Sequence, residues 1–218
     1  MRFLLINPNT NTATTAMMLD IARAMLDGRA TVEGMTAERG AVTITTEAAL
    51  AQAGTEVMRM IGGLDSRRFS GVAIAAFGDP ALSEARAALG VPVVGIAEAS
   101  IGEAAAGGRR FSIVTTTPAL DAVLRRRVEA CGASRAFAGI RYTRSGPAGM
   151  MAAPAALYRE LLDACRQSME EDGVGAIIIG GGPLAAAARA LRPHVSAALI
   201  EPIPAAMNAL LALTHPPS

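Results

Sequence analysis

A few side chains able to move a proton or bind a ligand carbonyl fall on the turns of this sequence. Asp79 stands in Phe77-Gly78-Asp79-Pro80, directly after the apolar run 72–76. A carboxylate there can act as a base, or cap the helix that Pro80 opens. Glu98 and Glu201 each follow an apolar run and each opens a helix. A carboxylate in that place meets the positive end of the helix dipole. Asn7, Thr116 and Thr117 offer donors near helix starts, suited to a ligand carbonyl or carboxylate or to plain capping. Tyr142, in a glycine-bearing loop, is a candidate phenolic acid.

The remaining reactive types read as structure. Cys131 continues the helix face Leu120, Leu124, Val128, and Cys165 continues Leu157, Leu161, so both behave as small core hydrophobes. His194 follows Pro193 in a loop and His215 lies in the tail, both surface positions. The run Arg125-Arg126-Arg127 reads as a solvated helix face.

Composition removes whole classes of chemistry. All 20 basic residues are Arg, which excludes a Schiff-base lysine and a Walker-type phosphate lysine. Two His and two Cys, widely separated, give no metal-ligand spacing, so neither a metal nor another cofactor is expected. A net charge of +1 provides no basic patch for nucleic acid. No apolar run reaches the ~18–20 residues that span a bilayer. The start, MRFLLINPNT, reads as a first strand rather than a signal peptide, and the expected compartment is the cytoplasm.

The elements that must position these groups alternate. Apolar runs at 2–6, 31–36, 42–45, 72–76, 91–96, 110–114, 136–140, 175–179 and 197–200 predict strands. Helical patterns fill 46–61, 80–89, 98–106, 154–170 and 204–213, a helix running to 26, another from Thr115-Thr116-Thr117-Pro118 to Cys131-Gly132, and a third ending near 191. Polar or glycine-rich loops occupy 7–10, 141–151 and 180–183. Alternation of this kind predicts an α/β fold with mainly parallel sheets.

The chain also repeats itself. RFLLI from Arg2 reappears as RFSIV from Arg110, each before a Thr-containing loop. Pro80 and Glu98 bracket a helix and a strand, as Pro183 and Glu201 do at the same separation. Two similar Rossmann-like domains are therefore expected, 1–96 with 204–218 and 97–203. They would be related by a pseudo-twofold axis, with an active-site cleft between them.

The loops carry a resemblance. NPNT at 7–10, FGDP at 77–80, GIAEA at 95–99 and the Gly-rich turn at 180–183 are together similar to the hydantoin/allantoin racemase branch of the aspartate/glutamate racemase superfamily. The likeness runs along essentially the whole chain. It implies cofactor-independent proton transfer at a carbon next to a carbonyl of a small-molecule substrate of the hydantoin, allantoin, amino-acid or dicarboxylate type, and a homo-oligomer. In that family two thiols face each other across the substrate, one removing the α-proton and the other returning one. The positions that match those thiols are Ala76 and Gly181 here, and neither can carry a proton. A related branch of decarboxylases keeps the second thiol, which is also missing.

The candidate catalytic positions are then Ala76 and Gly181, as the places of the missing cysteines, with Asp79 and Glu98. The candidate substrate-binding set is Asn7, Thr45, Phe77, Gly78, Thr116, Thr117 and Gly182. Several accounts stay open: a cysteine-free isomerase, decarboxylase or lyase, a racemase inactivated by engineering, and a ligand-binding protein without catalysis.

Overall fold

The computed structural model describes residues 1–147, 154–181 and 184–214. The chain divides into two compact units: Met1–Ala99 with the C-terminal stretch from Ile203, and Ser100–Pro202. In the first unit the order is β1 (Arg2–Asn7), α1 (Thr12–Leu26), β2 (Thr31–Thr36), α2 (Glu47–Gly62), β3 (Gly71–Ile74), α3 (Leu82–Ala88), β4 (Val93–Gly95) and α4 (Ile96–Ala104), which runs on into the second unit. The second continues with β5 (Phe111–Thr115), α5 (Asp121–Ala130), β6 (Phe137–Tyr142), α6 (Pro154–Asp172), β7 (Ala176–Gly180), α7 (Ala185–Leu191) and β8 (Ala198–Ile200). The final helix, α8 (Pro202–Thr214), belongs almost wholly to the first unit.

Each unit holds one four-stranded sheet, ordered β2-β1-β3-β4 and β6-β5-β7-β8, and every strand pair is parallel. The second order is the first one repeated, so the sequence duplication is a duplication of topology. Central strands carry helices on both faces and are therefore apolar throughout. Phe3, Leu4, Leu5 and Ile6 of β1 are all buried, as are Ala176 to Ile179 of β7. In the first unit Leu4, Ile6, Val72 and Ile74 pack on Val57, Ile61 and Leu82; in the second, Val114, Ile177 and Ile179 pack on Leu161 and Cys165 of α6.

The order fixes where a ligand can sit. Strand order reverses between β1 and β3, and again between β5 and β7. In open parallel sheets the loops at the carboxyl ends of such a pair form the binding crevice. The loops concerned are those after Asn7, Ile74, Thr115 and Gly180.

Three local expectations are corrected. Residues 42–45 are loop, not strand; Val42 is exposed, and Thr10 N–H donates to Ala41 C=O at 3.1 Å, tying the segment to the loop after β1. The helix expected from Pro80 begins at Leu82, because Asp79 and Ala81 take φ of 52° and 54°, which no helix accommodates. The helix expected at 98 starts earlier, at Ile96, directly from β4.

Candidate functional site

The loop after β1 is braced by its own amides. Asn7 is fully buried, and its Nδ2 donates to Asn9 Oδ1 (2.9 Å), Asn11 C=O (3.2 Å) and Thr15 Oγ1 (2.9 Å). Its Oδ1 accepts the Asn9 N–H at 3.2 Å. Asn11 Oδ1 then caps α1 by accepting the Thr14 N–H at 3.1 Å. Thr15 Oγ1 lies 2.6 Å from Thr36 Oγ1 at the end of β2. The Asn7 side chain thus acts on the shape of its loop. Thr45 is half-buried in the segment tied to this loop.

The turn after β3 is unusual backbone. Ala75 N–H continues the sheet to Ile6 C=O at 2.8 Å, and Asp79 N–H closes a turn onto Ala76 C=O at 3.0 Å. Gly78, Asp79 and Ala81 have φ of 136°, 52° and 54°. Such a cluster of left-handed residues persists only where surrounding contacts enforce it. Ala76 and Gly78 are buried, and Phe77 is half-buried.

Asp79 is the enforcing contact. Its carboxylate is 1% exposed. Oδ1 accepts the Ala97 N–H at 2.8 Å and Oδ2 accepts the Glu98 N–H at 2.7 Å. Both are first-turn amides of α4, so Asp79 caps a helix that lies across β4 rather than the helix that follows it in sequence. Gly95 makes room: a Cβ built there would stand 2.1 Å from Asp79 Cγ.

Glu98 faces a guanidinium. Arg86 Nη1 donates to Glu98 Oε2 at 3.0 Å and Nη2 donates to Oε1, a bidentate pair. Arg86 Nε donates to Val93 C=O at 2.9 Å, which joins α3, β4 and α4. Glu201, 5% exposed, receives Arg192 Nη2 at 2.7 Å and Arg189 Nε at 3.4 Å. The spacing Arg86 to Glu98 equals that of Arg189 to Glu201, so the ion pair is duplicated with the fold.

In the second unit Thr115 ends β5, with Oγ1 donating to Gly180 C=O at 2.7 Å and lying 3.2 Å from Thr117 Oγ1. This joins the Thr115-Thr116-Thr117 loop to the end of β7. Thr116 is buried and Thr117 half-buried. Gly181 follows β7 with φ 139°, and Leu184 N–H donates to its carbonyl at 3.0 Å. Thr143, one residue beyond β6, is tied by its N–H to Thr115 C=O at 3.1 Å; its buried hydroxyl has no partner among the described residues. Gly182 and Pro183 lie outside the described residues, as do 148–151 of the predicted loop and His215.

Tyr142 does not stand ready as an acid. Its hydroxyl donates to Asp121 Oδ1 at 2.6 Å, while Arg125 Nε donates to Asp121 Oδ2 at 2.7 Å. Burial and the adjacent carboxylate push the phenol well above its ordinary range; Arg125 and then Tyr142 hold the Asp121 carboxyl low. Cys165 is buried in the core and burial pushes its thiol up to about 12. Cys131 ends α5 at its C-cap. His194 is exposed, with its ring 6.4 Å from that of Tyr158. Among the described residues no three or more His, Cys, Asp or Glu gather to hold a metal, and no helix is long and apolar enough to cross a membrane.

Within each unit the structure therefore gathers expected residues: Asn7, Ala76 to Asp79 and Glu98 in the first, and Thr116, Thr117 and Gly181 in the second. Gly95, Arg86, Thr115 and Thr143 were missed. The repeated Arg-to-Glu spacing was the available signal for Arg86; Gly95 and Thr115 are visible only once strands are adjacent.

Two units of repeated parallel α/β topology, with polar loops at both switch points, define a duplicated parallel α/β protein. The chain matches the Asp/Glu/hydantoin racemase family over residues 3–210 and belongs to it. A hydantoin racemase from Paenarthrobacter aurescens is 28% identical over 207 residues, 94% of this chain and 88% of that one. The structure of an allantoin racemase from Klebsiella pneumoniae superposes with TM-score 0.89 at 30% identity, covering 98% of this chain and 87% of the other. An allantoin racemase from Pseudomonas fluorescens gives TM-score 0.91 at 24% identity, covering 98% and 90%. These relatives support the hydantoin/allantoin racemase branch.

Proposed function

We propose that the chain binds a small cyclic amide or carboxylate, of the hydantoin, allantoin, amino-acid or dicarboxylate type, at the loops that leave the carboxyl ends of its parallel strands. On this reading it carries out cofactor-independent proton transfer at a carbon next to a carbonyl, without a pair of thiols. Family membership and the arrangement of the switch-point loops support the substrate class. The observation that carries the departure from two-thiol racemisation is the pair of thiol-matching positions, Ala76 and Gly181, together with the placement of both cysteines elsewhere. Gly181 adds weight, because its φ of 139° suits glycine rather than cysteine. Backbone N–H donors on these loops, with the half-buried Thr117 hydroxyl, can polarise a ligand carbonyl and acidify the neighbouring carbon. A homo-oligomer belongs to the same reading, and light scattering tests it.

A second reading, ligand binding without catalysis, is favoured by one observation. Asp79, Glu98 and Glu201 each already bind backbone N–H groups or guanidinium groups, which leaves none of these carboxylates poised as a base. Calorimetric titration with hydantoins, allantoin, amino acids and dicarboxylates, followed by deuterium exchange at the α-carbon, separates the two. Binding with exchange above the buffer rate supports proton transfer. Binding without it supports the second reading. Absence of binding by any member of the series contradicts both.

A further inference from the structure

The second unit contains a cavity far from its switch-point loops. About 580 Å³ in volume, it is an open depression at the amino end of β5, lined by Ala105, Gly108, Arg110, Gly132, Ala133, Arg135 and Ala136, with Gly108, Arg110, Gly132 and Arg135 exposed. That volume lies within the range of small-molecule sites, ~300–1,000 Å³. β5 separates it from the Thr115 loop by its full length, roughly 15 Å at ~3.3 Å per residue.

Its chemistry is one-sided. The two charged groups in the lining are both guanidinium groups, and no acidic side chain lines it. Arginines elsewhere on this chain are commonly ion-paired, as Arg59, Arg86, Arg125, Arg141 and Arg192 are. Arg135 has no ion pair among the described residues. Arg110 has none either; its Nε donates to the Asp172 carbonyl at 2.7 Å, which holds the side chain without neutralising it. The rest of the wall is glycine and alanine on tight turns, with Gly108 and Gly132 at φ 75° and 67°. The lining thus offers backbone and two exposed arginines, with no other charged residue. Guanidinium forks match the paired oxygens of phosphate and carboxylate, and a concave basic surface concentrates anions.

We propose that this cavity is a second ligand site, taking a small organic oxyanion, a phosphate monoester or a dicarboxylate, through Arg110 and Arg135. The two ligand chemistries share the recognition and are separated by the test. Glycerol 3-phosphate, succinate and neutral glycerol are titrated into the full chain at fixed ionic strength, by calorimetry and by ¹H–¹⁵N NMR. At least one of the two anions should saturate below about 10 mM, with shifts gathered at Gly108, Gly132 and Ala136; glycerol should not. Arg110→Gln with Arg135→Gln should weaken that binding at least about tenfold, while Arg23→Gln, on α1, leaves it unchanged. Arg135→Gln alone disturbs no described partner, so it tests the site even where the double variant folds poorly, with at least about threefold weakening expected. Lack of saturation by both anions, shifts confined to Thr115–Thr117, or losses smaller than these overturn the proposal. The result does not depend on whether hydantoins bind.

Discussion

Asp79→Ala should destabilise the protein strongly while leaving the sheet of the first unit intact. The substitution deletes two acceptors that take the Ala97 and Glu98 N–H groups at 2.8 and 2.7 Å in a site only 1% exposed. Hydrogen bonds to a charged group contribute about 1.5–3 kcal/mol each, and a carboxylate at a helix N-terminus about 0.3–1 kcal/mol. These overlap, and water reaching the vacated space offsets part of the loss, so about 3 kcal/mol is the expected cost. A chain of this size shifts about 2–4 °C per kcal/mol, or roughly 6–12 °C in melting temperature. Gly95→Ala should also destabilise, because its Cβ would stand 2.1 Å from Asp79 Cγ. Joined with Asp79→Ala, much of that clash disappears. Denaturant unfolding followed by circular dichroism, run as a double-mutant cycle, should give a coupling of at least about 1 kcal/mol. Additivity within about 0.5 kcal/mol, or a cost below about 1 kcal/mol for Asp79→Ala, would refute the assignment of Asp79 as the latch between this turn and α4.

Other outcomes follow from the same structure. Gly181→Ala and Gly181→Cys should cost a similar amount, about 1–3 kcal/mol, because the burden is the φ of 139° rather than the sulfur; melting curves compare them, and a harmless Gly181→Cys contradicts the strain. Cys165, with its thiol pushed up to about 12 by burial, should make stability constant below about pH 9 and falling as pH rises from there toward 12, since the unfolded chain loses that proton first. Cys165→Ala should reduce this alkaline limb, leaving the part above about pH 10 that the raised Tyr142 phenol contributes, and an unchanged limb contradicts the assignment. Glu201→Gln should weaken the second unit measurably, because it leaves Arg189 and Arg192 without the carboxylate they share; unfolding midpoints by denaturant test this, and an unchanged midpoint refutes it.

Much of the fold was legible because the strands are short apolar runs bounded by turn residues. β1 and β5 announce themselves as RFLLI and RFSIV, and the duplication they suggest is repeated in strand order. Residues 42–45 misled because Val42 and Ile44 alternate with threonines like a strand, yet β2 already occupies that edge of the sheet. Asp79 was legible as a capping residue but not as the cap of α4. Local sequence shows Pro80 beside it, whereas its partners Ala97 and Glu98 become neighbours only through the pairing of β3 with β4. Glu98 likewise looked available for chemistry until α3 brought Arg86 to it. Polar residues on these turns were easy to find, but whether they face a ligand or one another depends on strand adjacency.

The most direct measurement is α-proton exchange of enantiopure hydantoins and allantoin in D₂O, followed by NMR and optical rotation with the protein near saturation. The account predicts ligand binding with no inversion at a rate typical of a thiol pair. General acid and base groups each contribute about 10²–10⁴-fold, so the loss of both should be unmistakable against a hydantoin racemase run in parallel. Rapid inversion by the unaltered chain, persisting in Cys131→Ala with Cys165→Ala, would show a complete acid–base pair elsewhere in the site and contradict the account.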